Sequence, residues 1–152
     1  MDRPLHTRVL GLTLEVAPQP GTLAKALASR APGQAALIDT AGCDPLDPTQ
    51  AAALVGLARA AGAVIIAVLP AGLDPAEAAD LARAFAALGA RHLLPTRLDV
   101  ARRLGGVLAA AAAGLAMTEA GTGPGAADGL TPLTPDWLAR RLLPGRPQEI
   151  SA

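Results

Sequence analysis

Aromatic side chains are nearly missing from this chain: among 152 residues there are Phe85 and Trp137 and no tyrosine. Successive bases of a single-stranded nucleic acid stack on aromatic platforms, so that mode of binding is excluded, and a core must be built from Leu, Val, Ile and Ala. A single cysteine, Cys43, excludes an internal disulfide and fits a reducing, cytoplasmic setting. No cationic stretch followed by an apolar one opens the chain, so a secretory leader is not expected. Thirteen basic residues balance thirteen acidic ones without a block of either sign, which leaves no electrostatic footprint for direct nucleic-acid binding. The apolar run "LGGVLAAAAAGLAM" at 104–117 is shorter than the roughly 18 residues of a membrane span. It predicts a buried helix followed by a strand.

What is present is an alternation. Apolar runs of strand length, "LTLEVA" (12–17), "AALID" (35–39), "AVIIAVL" (63–69), "HLLPT" (92–96) and "LAMTEA" (115–120), are separated by segments of helical period. That order predicts an α/β protein, a three-layer, mostly parallel sheet flanked by helices, in one domain over 1–144 with a flexible tail at 145–152. Two helix starts are explicit. Asp47-Pro48-Thr49-Gln50 and Asp74-Pro75-Ala76-Glu77 each offer a capping aspartate, a proline at the first helical position and Gln or Glu at the third, a capping-box arrangement. Leu54, Leu57, Ala58 and Ala61 share one face of the first helix, and Leu81, Phe85 and Leu88 one face of the second. Gly62 and Gly89 follow as C-terminal caps. A last helix is predicted from Thr134-Pro135, presenting Trp137, Leu138 and Leu142.

Ligands of parallel α/β sheets sit beyond the carboxyl ends of the strands, and three strand exits here are unusual: Asp39-Thr40-Ala41-Gly42, Thr96-Arg97-Leu98-Asp99 and Gly121-Thr122-Gly123-Pro124-Gly125. Asp39 reads either as a carboxylate in the shell of a Mg²⁺, with the Gly42 amide open to a terminal phosphate, or as an Asx turn. Asp99 reads either as an acceptor for the two donors on the Watson–Crick edge of guanine, a pattern adenine does not offer, or as a helix cap before "VARRL". The glycine-rich stretch reads as a ligand loop or as ordinary turns. Cys43 has neither a helix start nor a paired base beside it and reads as an inert thiol. His6 and His92 lack ligand spacing, and neither is a catalytic candidate.

Taken in order, "LIDTAG", "TRLDVARRLGG", "GTGPGAADGLTPLTP" and "LTPDWLARRLL" resemble the third and fourth nucleotide motifs, the closing loop and the closing helix of the signal-recognition-particle-type GTPases. The flagellar FlhF-like branch is the better match, because Cys43 stands where signal-recognition-particle members commonly carry arginine. The resemblance covers nearly the whole chain, from "LHTRVLGLTLEVA", similar to the end of a helix and the next strand. It implies a partial P-loop NTPase G domain that works in protein targeting or flagellar biosynthesis. Asp39, Thr40 and Gly42 would address Mg²⁺ (Asp39 through water) and the γ-phosphate of GTP. Thr96, Arg97 and Asp99 would read guanine, and Gly121 and Gly123 would line the base. Gly105-Gly106 would let a helix pack closely beside that loop. The implied partners are guanine nucleotide, a homo- or heterodimer with another GTPase of this type, and a membrane surface by analogy alone.

Two features depart from the pattern. Arg97 stands where the family often has lysine. The phosphate cradle G-x-x-x-x-G-K-[ST] is absent: the 38 residues before Asp39 hold one lysine, Lys25, in "TLAKALAS". The cradle would precede Met1, so this stretch is expected to hold base-reading and γ-phosphate-facing segments and to hydrolyse no GTP alone, since phosphoryl transfer is mostly positioning and charge stabilisation by the missing parts. Two other readings remain. One is a non-enzymatic remnant acting as an interaction module. The other is a receiver-like phospho-acceptor with Asp39 as acceptor, which should bring an acidic pair and a later lysine that this chain lacks.

Overall fold

The computed structural model describes residues 11–124 and 129–143. His6, Gly125, the helix end expected before residue 11 and the tail at 145–152 lie outside them. The chain divides into two compact units, 1–65 and 66–152.

The first unit is helical. Helix α1 spans Pro20–Ala28 and α2 spans Pro48–Ala61, and the two pack on each other; Leu23 is the buried residue of α1 and Ala51 that of α2. Helix α2 begins where the sequence says it should. The Asp47 carboxylate accepts from the backbone N–H groups of Thr49 and Gln50 at 2.7 and 3.1 Å, satisfying two of the orphan donors of the first turn. The capping box is not reciprocal, because Gln50 Oε1 accepts instead from the Asp44 N–H at 2.9 Å. Gly62, in the left-handed region at φ 60, ends the helix.

The strands expected at 12–17 and 35–39 are not formed: residues 12–17 and 34–44 carry neither helix nor strand. A strand exists only against a neighbour, and neither segment joins a ladder. Their apolar side chains stay in water, Val16 at 83 % and Leu37 at 94 % exposure.

The second unit holds a three-stranded parallel sheet. Strand β1 is Ile66–Pro70, β2 is His92–Thr96 and β3 is Ala116–Met117, in the order β1-β2-β3. Helix α3, Pro75–Ala87, joins β1 to β2, and α4, Gly105–Ala112, precedes β3. Asp74 caps α3 as expected, accepting from Ala76 and Glu77 N–H at 2.8 and 3.3 Å. Leu69, Leu93 and Pro95 on the sheet meet Ala78 of α3 and Val107 and Ala110 of α4 around one small void. The buried stripe of α3 is therefore Ala78 and Ala82, with Leu81, Phe85 and Leu88 half-buried beside it. Small residues win the centre because the two helices approach closely. A Cβ added at Gly106 would stand 2.5 Å from the Leu73 carbonyl oxygen and 3.5 Å from Ala78 Cβ. The close packing foreseen at Gly105-Gly106 is thus real, but its partner is the start of α3. On the opposite face of β1, Ile66 and Val68 are 50 % and 58 % exposed.

The single strand expected at 115–120 is two. Arg91 O accepts from Ala116 N–H at 2.9 Å, so odd-numbered residues of β2 face β3, and Pro95 has no N–H with which to continue that ladder. The chain changes partner at Thr118, whose carbonyl accepts from Leu133 N–H at 3.0 Å. Strand β4, Glu119–Gly121, then pairs antiparallel with β5, Leu130–Pro132. Helix α5, Pro135–Leu142, starts at Thr134, whose hydroxyl accepts from Trp137 N–H at 3.1 Å. Among the described residues no helix is long and apolar enough to cross a membrane.

Candidate functional site

Beyond the carboxyl end of β2 the chain turns sharply. Arg97 takes a left-handed φ of 62, alone among the described non-glycine residues, and its carbonyl accepts from Val100 and Ala101 N–H at 3.3 and 3.0 Å. The turn drives Leu98 inward to 1 % exposure, into a cluster with Ala71, Leu104, Val107 and Ala120. Arg97 and Asp99, on either side of it, point to water. An apolar anchor between two exposed charged residues is a loop held still at its middle.

The cap reading of Asp99 fails. No helix begins at residue 100; α4 starts five residues later, after Leu104, without a side-chain cap. Asp99 makes no hydrogen bond among the described residues and borders a shallow open recess with Val100, Ala101, Arg102 and Arg141.

The fold brings two of the three singled-out stretches together. Leu98 N–H donates to the Gly121 carbonyl at 3.0 Å, and a Cβ at Gly121 would lie 3.4 Å from Thr96 Cα, so the backbone of β4 rests against the turn that presents Asp99. Beyond it, Thr122 N–H donates to the Gly129 carbonyl at 2.7 Å and the hydroxyls of Thr122 and Thr131 are 2.9 Å apart. Gly123 is half-buried, with no atom within 4 Å of an added Cβ.

The third stretch lies in the first unit. Asp39, Thr40 and Gly42 are exposed, and no heavy atom lies within 4 Å of a Cβ built on Gly42; internal packing does not account for a glycine there. Magnesium carried by a nucleotide takes one or two carboxylates and completes its shell with phosphate and water. Asp39 supplies one carboxylate, and no group of three His, Cys, Asp or Glu among the described residues could hold a metal ion.

Cys43 is half-buried; burial pushes its thiol up, and the carboxylates of Asp44 and Asp47 push it further. Both effects disfavour the thiolate. His92 Nδ1 is buried without a hydrogen-bond partner among the described residues, and no ligand set surrounds it.

One residue was not singled out by sequence. Arg141 Nη2 donates to the Leu98 carbonyl oxygen at 3.0 Å, across 43 residues. The available signal is weak: Arg141 falls four residues after Trp137 and three after Leu138, on the helix face that packs against the Leu98 cluster. A scan against protein-family models finds no family that matches this chain, and a search of curated proteins finds none that matches it.

Proposed function

We propose that this chain carries the base-reading and γ-phosphate-facing segments of a signal-recognition-particle-type GTPase, on a partial P-loop NTPase fold, serving protein targeting or flagellar biosynthesis. The observation that carries the reading is the Leu98–Gly121 hydrogen bond. It joins two motifs more than twenty residues apart at the carboxyl end of a parallel sheet, where ligands of such sheets bind. Asp99 stands beside that junction, exposed and without a cap to serve, as an acceptor for two donors on guanine must. In this reading Arg97 covers the base with its aliphatic stem, Asp99 accepts from its edge, and Gly121 and Gly123 leave room beside it. Asp39 and Gly42 face the γ-phosphate, and with no G-x-x-x-x-G-K-[ST] segment among these residues, GTP is not turned over by them alone.

Hydrogen bonds to charged groups contribute about 1.5 to 3 kcal/mol each, so losing several phosphate contacts leaves millimolar binding at best. At millimolar nucleotide, GDP shifts the amide resonances of 96–99 and 121–123 more than ADP does. Asp99→Asn turns the preference toward xanthosine nucleotides, whose carbonyl replaces the guanine amino donor. Equal responses to GDP and ADP sink the reading. So does GTP hydrolysis by the purified chain that vanishes in Asp39→Ala.

A second reading, an interaction module that pairs with a GTPase of the same type, is favoured by the exposed Ile66 and Val68 on β1, since parallel sheets are normally covered on both faces. It expects oligomers in light scattering, and a monodisperse monomer at high concentration counts against it.

A further inference from the structure

We infer that Arg141 is a positioning residue that fixes the direction of Asp99. This rests on the reading of 96–99 as a base-reading loop, and it adds a residue from α5 to that site. The peptide groups of Leu98 are held from both sides: its N–H by the Gly121 carbonyl and its carbonyl by Arg141 Nη2, each at 3.0 Å. The second bond matters more for Asp99, because the Leu98 carbonyl belongs to the peptide plane that leads directly into Asp99. Rotation of that plane swings the Asp99 carboxylate. The loop has reason to rotate, since Arg97 sits at φ 62, a conformation that disfavours a residue with a Cβ and persists only where its surroundings hold it. The helix that carries Arg141 is itself held in place. Trp137 and Leu138 seat α5 on the cluster that buries Leu98, the Thr134 hydroxyl caps its first turn, and the guanidinium reaches the loop from one turn further along. A guanidinium also stays charged at every accessible pH, so the clamp does not titrate.

The test uses the full chain as wild type, Arg141→Met and Arg141→Lys, with two readouts. The first is amide hydrogen exchange without nucleotide. In Arg141→Met, protection at Leu98, Val100 and Ala101 falls about tenfold, the loss of one hydrogen bond of ordinary net strength, while Leu138 in α5 keeps its protection. Arg141→Lys, which can still donate to the carbonyl, recovers part of the loss. The second is the difference between GDP- and ADP-induced shifts at Asp99, which shrinks severalfold in Arg141→Met and partly returns in Arg141→Lys. Unchanged loop protection in Arg141→Met overturns the inference. Loss spread equally over α5 overturns it too, because Arg141 would then only anchor the helix. A wild type that responds equally to GDP and ADP removes the base-reading function, whereas the exchange data decide the clamp independently.

Discussion

The two units of this chain use the same composition to opposite effect. Of the fifteen alanine, valine and leucine residues that are buried among the described residues, thirteen lie in 66–143 and two, Leu23 and Ala51, in 11–65. The difference does not come from a shortage of apolar residues, since Leu12, Leu14, Val16 and Leu37 are all exposed. It comes from pairing. In the second unit β1 and β2 run in register from Ile66↔His92 to Pro70↔Thr96, and that ladder fixes which side chains face α3 and α4. In the first, the extended segments have no ladder, so alternation has no face to sort onto. Hydrophobic content alone does not make a core; a hydrogen-bonded frame decides where it goes.

The sharpest way to test this contrast is to remove one leucine from each unit. Leu93, 1 % exposed, sits between sheet and helices, and Leu93→Ala should cost about 2 to 5 kcal/mol, transfer and cavity terms together. Leu23→Ala between two helices can collapse and should cost about 1.5 kcal/mol, near the transfer term alone. Denaturant melts of both variants measure the gap, and equal losses would break the contrast. Glycine offers a test in which the sign reverses. Gly106→Ala forces a Cβ against the Leu73 carbonyl and should destabilise by about 1 to 3 kcal/mol. Gly56, inside α2 with nothing within 4 Å of an added Cβ, should gain roughly 0.5 to 1 kcal/mol as alanine. A loss at Gly56 on thermal melting would mean that α2 is covered more closely than its exposed glycine indicates.

Caps give smaller effects. Asp74→Ala should cost about 1 kcal/mol, read from urea midpoints, because two N–H groups of α3 lose their acceptor. The Asp47 carboxyl lies below the ordinary aspartate value because the Gln50 backbone N–H, the Gln50 side-chain amide and the Thr49 N–H donate to it. A depressed folded value contributes stability that is complete above the unfolded value, about 3.9, and is lost as pH falls through the folded one. Exchange at Thr49 and Gln50 should therefore accelerate in acid in wild type, beyond its intrinsic pH dependence. Asp47→Asn, which caps without titrating there, should show no such excess, and identical acid profiles would remove the cap from the account.

Local chemistry was legible in the sequence, and pairing was not. Asp47, Asp74 and Thr134 announce their helices because a cap is decided within four residues, and "HLLPT" is a strand with the bounds read for it. The same apolar spacing at 12–17 and 35–39 gives no strand, because its partner is not specified by the segment itself. Pro95 was visible as a proline, but its effect, the switch of partner at Thr118, depends on which edge of β2 its missing N–H faces. In α3 the leucines and Phe85 looked like the core, whereas Gly106 brings α4 so near that alanines occupy it. For the candidate site, order along the chain singled out Asp99 and Gly121 as members of two loops, but not the hydrogen bond from Leu98 to Gly121 that joins them. The bond from Arg141 to Leu98 spans 43 residues, and no local pattern encodes it.

Trp137 has one more consequence. With a single tryptophan and no tyrosine in the chain, nearly all near-ultraviolet emission comes from one indole, and that indole packs against the cluster that buries Leu98. The protein thus carries its own optical probe beside the loop that presents Asp99. Motion of that loop can be followed as a change in colour or brightness of one fluorophore, without a label and without the background that a second aromatic emitter would add.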